Sequence, residues 1–135
     1  MNSISNQRYI NTWLYTTIVM VVLMILIGGI TRLTDSGLSM VEWRPIWGFL
    51  PPITDEEWKR VFSLYMSSPE YIFKNQGMSI LEFKKIFFWE YFHRLWGRLI
   101  GIVFIIPLII FYLFNKIPNS ILLKLLTILL SLIHI

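Results

Sequence analysis

The stretch Trp89-Glu90-Tyr91-Phe92-His93-Arg94-Leu95-Trp96-Gly97-Arg98 sets a carboxylate, an imidazole and two guanidinium groups among aromatic side chains. On a helix, Glu90, His93, Arg94, Gly97, Arg98 and Gly101 share one broad face through spacings of three and four. Ionisable groups at the end of an apolar helix are costly to hold against lipid, so this face belongs toward a protein interior or a wet cavity. Glu90 suits either an i,i+4 ion pair with Arg94 or a carboxylate beside a metal-bound centre, giving or taking a proton. His93 is either a hydrogen-bonded histidine of a helix bundle or an axial ligand to heme iron, a task for a neutral imidazole on an inward face. Arg94 and Arg98 either snorkel to the interface or pair with heme propionates, whose carboxylates match a guanidinium fork. Gly97 with Gly101 is a small-xxx-small pair that admits close approach of another helix or of a flat cofactor.

A second cluster, Gly28 to Ser39, combines three glycines with four hydroxyl side chains. It is not a phosphate loop: the G-x-x-x-x-G-K-[ST] pattern is missing and the glycines follow an apolar helix instead of preceding one. A helix C-terminus with a turn at the membrane surface is the expected reading, with Arg32 its one candidate for cofactor binding. His134, near the end of an apolar segment, is read as incidental. The chain has no cysteine, which removes thiolate metal sites and cysteine nucleophiles. Its net charge of +4 comes from scattered basic residues with no dense run, so no nucleic-acid partner is expected.

These residues need elements to position them. Of 135 residues, 56% are hydrophobic and only 15% charged, and the apolar ones gather in long runs, the pattern a lipid solvent selects. The fold class is all-α integral membrane, one incomplete membrane region over residues 1–135. It has transmembrane helices at about 13–30 and 87–114 and a partial third at about 121–135. The first run is long for a signal-peptide core and lacks a small-residue cleavage site, so it is read as a retained helix. The last run is still apolar where the sequence stops, which is read as truncation.

Between the first two helices lies a polar connection, residues 31–86, too rich in aromatic side chains for a disordered linker. Trp43, Trp47, Phe49, Trp58, Phe62, Tyr65, Tyr71 and Phe73 suggest a folded cap on the membrane surface. Within it Thr54 with Glu57, and Ser79 with Glu82, each have capping-box spacing. The first box opens a short amphipathic helix ending near Pro69; the second leads into the next membrane helix. The long loop holds seven basic and seven acidic residues and sets no orientation. Lys116 and Lys124 put the 115–120 connection and the N-terminus in the cytoplasm, and the cap outside.

The blocks 28–39, Glu42-Trp43-Arg44-Pro45, Gly48 with Leu50-Pro51-Pro52, Glu82-Phe83-Lys84-Lys85-Ile86-Phe87, and Glu90-Tyr91-Phe92-His93-Arg94 with Gly97-Arg98 together resemble the N-terminal part of heme A synthase. The resemblance is to the form found in alphaproteobacteria and mitochondria. It implies an eight-helix membrane protein of two similar four-helix halves, each holding a heme between helix-borne histidines. It also implies an oxidoreductase that converts the C8 methyl of heme O to a formyl group, making heme A for cytochrome c oxidase. By position Glu90 would be the essential carboxylate and His93 the first axial histidine of the substrate-side pocket, with iron reached through heme.

The implied resident cofactor of the parent protein is heme b, with heme O as substrate. Heme O synthase and the cytochrome oxidase assembly machinery are the implied partners, and the inner (plasma) membrane the location. The pocket's second histidine would come from a fourth helix, so this chain by itself is expected to make no heme A. A different class of function, a non-catalytic scaffold or oxidase assembly factor whose aromatic loop docks a partner, suits the same hydrophobic pattern.

Overall fold

Every element among the described residues is helical: α1 (Asn2–Leu33), α2 (Asp55–Met66), α3 (Pro69–Phe73), α4 (Ile80–Leu113) and α5 (Asn119–Ile133). The computed structural model describes residues 2–42 and 49–133; Trp43, Arg44, Pro45, Trp47, Gly48 and His134 lie outside the described residues. Among the described residues two helices are long and apolar enough to cross a membrane, over Asn6–Leu33 and Ile80–Leu113. At 1.5 Å per residue α4 reaches about 50 Å, well beyond a hydrocarbon core of about 30 Å.

Local sequence explains most boundaries. Thr54 caps α2, its hydroxyl accepting from the Glu57 amide at 3.2 Å. At the start of α4 the Ser79 amide donates to Glu82 Oε2 at 2.8 Å and the Glu82 amide to Ser79 Oγ at 3.3 Å. That closed box starts α4 at Ile80, earlier than the expected 87. α1 likewise begins at Asn2, upstream of the expected 13, and no glycine or proline interrupts residues 2–12. The amphipathic helix α2 ends at Met66, near Pro69 as expected, and Pro69 itself opens α3 behind the N-cap Ser68, because a proline at the first helical position sacrifices no hydrogen bond.

Both long helices end the same way. After α1, the Ser36 amide donates to the Thr31 carbonyl at 2.9 Å and the Asp35 amide to Arg32 at 3.2 Å. After α4, Lys116 donates to Phe111 at 2.8 Å and Asn115 to Tyr112 at 3.0 Å. These are Schellman pairs, with Asp35 and Asn115 taking the left-handed position at φ 51°.

The chain divides into two compact units. In residues 26–95, Tyr65, Phe83 and Phe87 form a buried aromatic core, flanked by Trp58, Phe62, Tyr71 and Tyr91. The Lys84 ammonium lies 4.9 Å from the Trp58 ring centre. Burial holds the Tyr65 phenol above the usual tyrosine value, against the Asn75 amide that donates to it at 2.6 Å. Arg60 donates to both carboxylate oxygens of Glu42, at 2.7 and 3.1 Å, which ties α2 to the loop that follows the α1 turn.

In the unit of residues 1–25 and 96–135, Trp13, Phe104, Leu108 and Leu125 form the core. Pro107 sits inside α4 and has no N–H for the carbonyl four residues back, that of Val103. The Trp13 indole donates to that carbonyl at 2.9 Å, and its ring packs 5.1 Å from Phe104. In an apolar surrounding an unmatched carbonyl is expensive, so the proline and the tryptophan form a complementary pair. Trp13→Phe is expected to destabilise the protein by about 1–3 kcal/mol. In a Pro107→Ala background, where the restored N–H can take the carbonyl, the same change is expected to cost less. A double-mutant cycle of unfolding in detergent measures the difference, and additive effects would refute the pairing.

Candidate functional site

The unit of residues 26–95 contains both central candidates. Glu90 is 3% exposed. Its Oε1 accepts from Arg94 Nη2 at 2.5 Å, and its Oε2 accepts from both the Ser39 hydroxyl and the Met40 amide at 2.7 Å. Arg94 Nη2 also donates to the Met40 carbonyl at 3.3 Å, so guanidinium, carboxylate and the Met40 backbone close a ring. The i,i+4 ion pair is therefore present, but two further donors come from the far side of a turn. Removing one partner of a buried pair strands the other charge, at a cost of about 3–5 kcal/mol.

The turn after α1 is built to deliver those donors. Once Asp35 reverses the chain, Thr34 Oγ1 and Ser36 Oγ share a hydrogen bond at 2.6 Å, and Ser39 Oγ lies 3.1 Å from the Ser36 carbonyl. Ser36 and Ser39 are buried, so the hydroxyls of the Gly28–Ser39 cluster are turn-forming and carboxylate-holding groups. The expectation of a helix end with a turn matches this geometry. Arg32 is exposed on the last turn of α1.

His93 lies against α1 at Gly28. A Cβ built on Gly28 would sit 3.1 Å from His93 Nε2, tight enough that the imidazole would have to give, and in ordinary contact 3.6 Å from Cδ2. Nearby, Thr31 Oγ1 donates to Ile27 at 2.9 Å and approaches the Trp89 carbonyl at 3.5 Å. None of the described residues hydrogen-bonds the His93 imidazole, and it is partly exposed. Among the described residues no group of three His, Cys, Asp or Glu side chains could hold a bare metal ion. A partly exposed imidazole without a hydrogen-bond partner among the described residues keeps a ring nitrogen open to a ligand.

The remaining candidates belong to the other unit. A Cβ on Gly97 would lie 3.3 Å from Met24 Cε, so this glycine admits a neighbouring helix, the plainer of its two readings. Gly101 has open space around it, and Arg98 is half-buried. The sequence reading missed Ser39, the Met40 amide and Gly28 as neighbours of the site. Ser39 and Gly28 lie inside the cluster it singled out, where it weighed Arg32 instead.

Residues 11–134 match the protein family described as Cytochrome oxidase assembly protein. The chain is 55% identical over 101 residues to a protein of Paramagnetospirillum magneticum named heme A synthase, covering 75% of this chain and 28% of that one. It is 51% identical over 113 residues to the heme A synthase of Rickettsia bellii, covering 84% of this chain and 34% of the relative. It is 47% identical over 119 residues to that of Nitrosospira multiformis, covering 88% and 33%. The chain thus spans about a third of the length of these curated relatives. No solved structure matches.

Gly28→Ala is expected to turn the imidazole away from α1, shifting the ring-nitrogen resonances of His93 in ¹⁵N-histidine spectra. Gly29→Ala, where nothing lies within 4 Å, should leave them in place. Equal spectra for both variants would refute the contact.

Proposed function

This chain belongs to the cytochrome oxidase assembly protein family, and we propose that it contributes one helical portion of a heme A synthase, with the Glu90–His93 segment forming part of its substrate-side pocket. The observation that carries this reading is the coexistence, one helical turn apart, of a carboxylate held by three donors and an imidazole without a hydrogen-bond partner among the described residues. The reaction would be oxidation of the C8 methyl of heme O to the formyl group of heme A. Heme b would be the resident cofactor of the whole protein, which would be an eight-helix protein of the inner membrane with the cap outside and the N-terminus in the cytoplasm.

Bound heme would supply the redox chemistry. The chain's own residues orient and protonate. The His93 imidazole would hold the iron, with Gly28 leaving the ring room beside α1. Glu90, held by Ser39, Met40 and Arg94, would accept or return a proton during methyl oxidation. Arg94 has guanidinium donors beyond the Nη2 that holds Glu90, and these are the proposed partners for heme propionates. Arg32, at the exposed end of α1, would act only on a group approaching from the surface. Heme O synthase and the oxidase assembly machinery are the proposed protein partners.

One observation favours a second reading. A carboxylate with every oxygen engaged is also what a purely structural ion pair looks like, as in a non-catalytic scaffold or assembly factor. A chimaera separates the two: residues 1–135 replace the matching region of the Rickettsia bellii relative in a strain without its own heme A synthase, and heme A is extracted and quantified. Glu90→Gln and His93→Ala are each expected to lower heme A at least a hundredfold, the scale of a lost acid–base group. Unaltered heme A from both, in a chimaera that is itself active, would sink the assigned roles and favour the scaffold.

A further inference from the structure

Ser39 is placed differently from the other two groups that hold Glu90. Arg94 and the Met40 amide can only donate. Ser39 is a hydroxyl, 1% exposed, with two acceptors in reach: Glu90 Oε2 at 2.7 Å and the Ser36 carbonyl at 3.1 Å. It has one hydrogen and can serve only one of them at a time.

We propose that Ser39 is a positioning residue that lets Glu90 gain and lose a proton in place, by turning its hydroxyl hydrogen between Glu90 and the Ser36 carbonyl. With Glu90 ionised, Ser39 donates to Oε2. When Oε2 takes a proton from water or a substrate hydroxyl, that donor's O–H bond breaks and its oxygen keeps the electron pair. The new Glu90 O–H then donates to Ser39 Oγ, and Ser39 turns its own hydrogen to Ser36. Both states leave every buried group satisfied, which a fixed donor cannot achieve. The titratable groups around Glu90 are Arg94 and His93 on α4 and, from α2, the Tyr65 phenol, which is itself bonded to Asn75.

The catalytic value of this device rests on the proposed function, whereas its geometry does not, and two measurements keep them apart. On the 135-residue chain in detergent, with ¹³C-labelled glutamate, infrared difference spectra identify the protonated Glu90 carbonyl band as the one lost in Glu90→Gln. Ser39→Ala is expected to move that band toward the frequency of a free carboxylic acid. Ser39→Thr, which keeps the hydroxyl, is expected to restore it, with helical content unchanged by circular dichroism. In the chimaera, Ser39→Ala is expected to lower kcat on the order of tenfold with KM unaltered, and Ser39→Thr to recover it. An unmoved band in a folded Ser39→Ala variant overturns the proposal, as does a Thr variant that folds but behaves like Ala. If Ser39→Cys, a weak donor of similar size, is the best-folded variant, its band must fall between those of Ser and Ala, and a band at the Ala position also overturns it. A band that responds while Glu90→Gln still makes heme A would leave the hydroxyl device standing and remove the catalytic reading.

Discussion

A carboxylate that is 3% exposed, on a helix apolar enough for a membrane, must find donors for both its oxygens, and much of the geometry of residues 26–95 follows from that need. Arg94, one turn along, supplies one oxygen. The other is supplied by Ser39 and Met40, which reach it only because α1 ends in a tight reversal at Asp35. The reversal is steadied in turn by the hydroxyls of Thr34 and Ser36. Three charge-assisted hydrogen bonds offset the desolvation that a lone buried carboxylate could not bear. The Arg60–Glu42 fork and the aromatic core of Tyr65, Phe83 and Phe87 then hold α2 against the same stretch of chain.

The unit of residues 1–25 and 96–135 answers a similar demand with different chemistry. There the group in need is a backbone carbonyl, that of Val103, deprived of its helical partner by Pro107 and satisfied by the Trp13 indole. Apolar helices leave little water to correct such deficits, so side chains at distant positions must do so. The same economy of space shows at Gly28 and Gly97, where a missing Cβ admits His93 and Met24 respectively.

What was legible in the sequence had short range. The capping boxes at Thr54 and Ser79, and the pairing of Glu90 with Arg94, join residues three or four apart, and the helical repeat alone predicts them. The family was legible too, because its blocks are specific in combination. Contacts across long separations were not. Ser39 is 51 residues from Glu90 and Trp13 is 90 from Val103, and no periodicity links such positions. Two local details were not legible either: Pro69 opens α3 directly after α2 ends, and the left-handed residue after α1 is Asp35, an aspartate tolerating that backbone where the hydrogen bonds reward it.

We propose that the His93 imidazole, beside the fixed Glu90 carboxylate, serves a prosthetic group. The chain has two histidines, His93 and His134, which makes a direct test clean. Purified in detergent and titrated with heme b, the chain should develop the optical spectrum of a histidine-ligated heme. His134→Ala should keep that spectrum and His93→Ala should lose it. A spectrum that survives His93→Ala, or that vanishes with His134→Ala alone, would contradict the account.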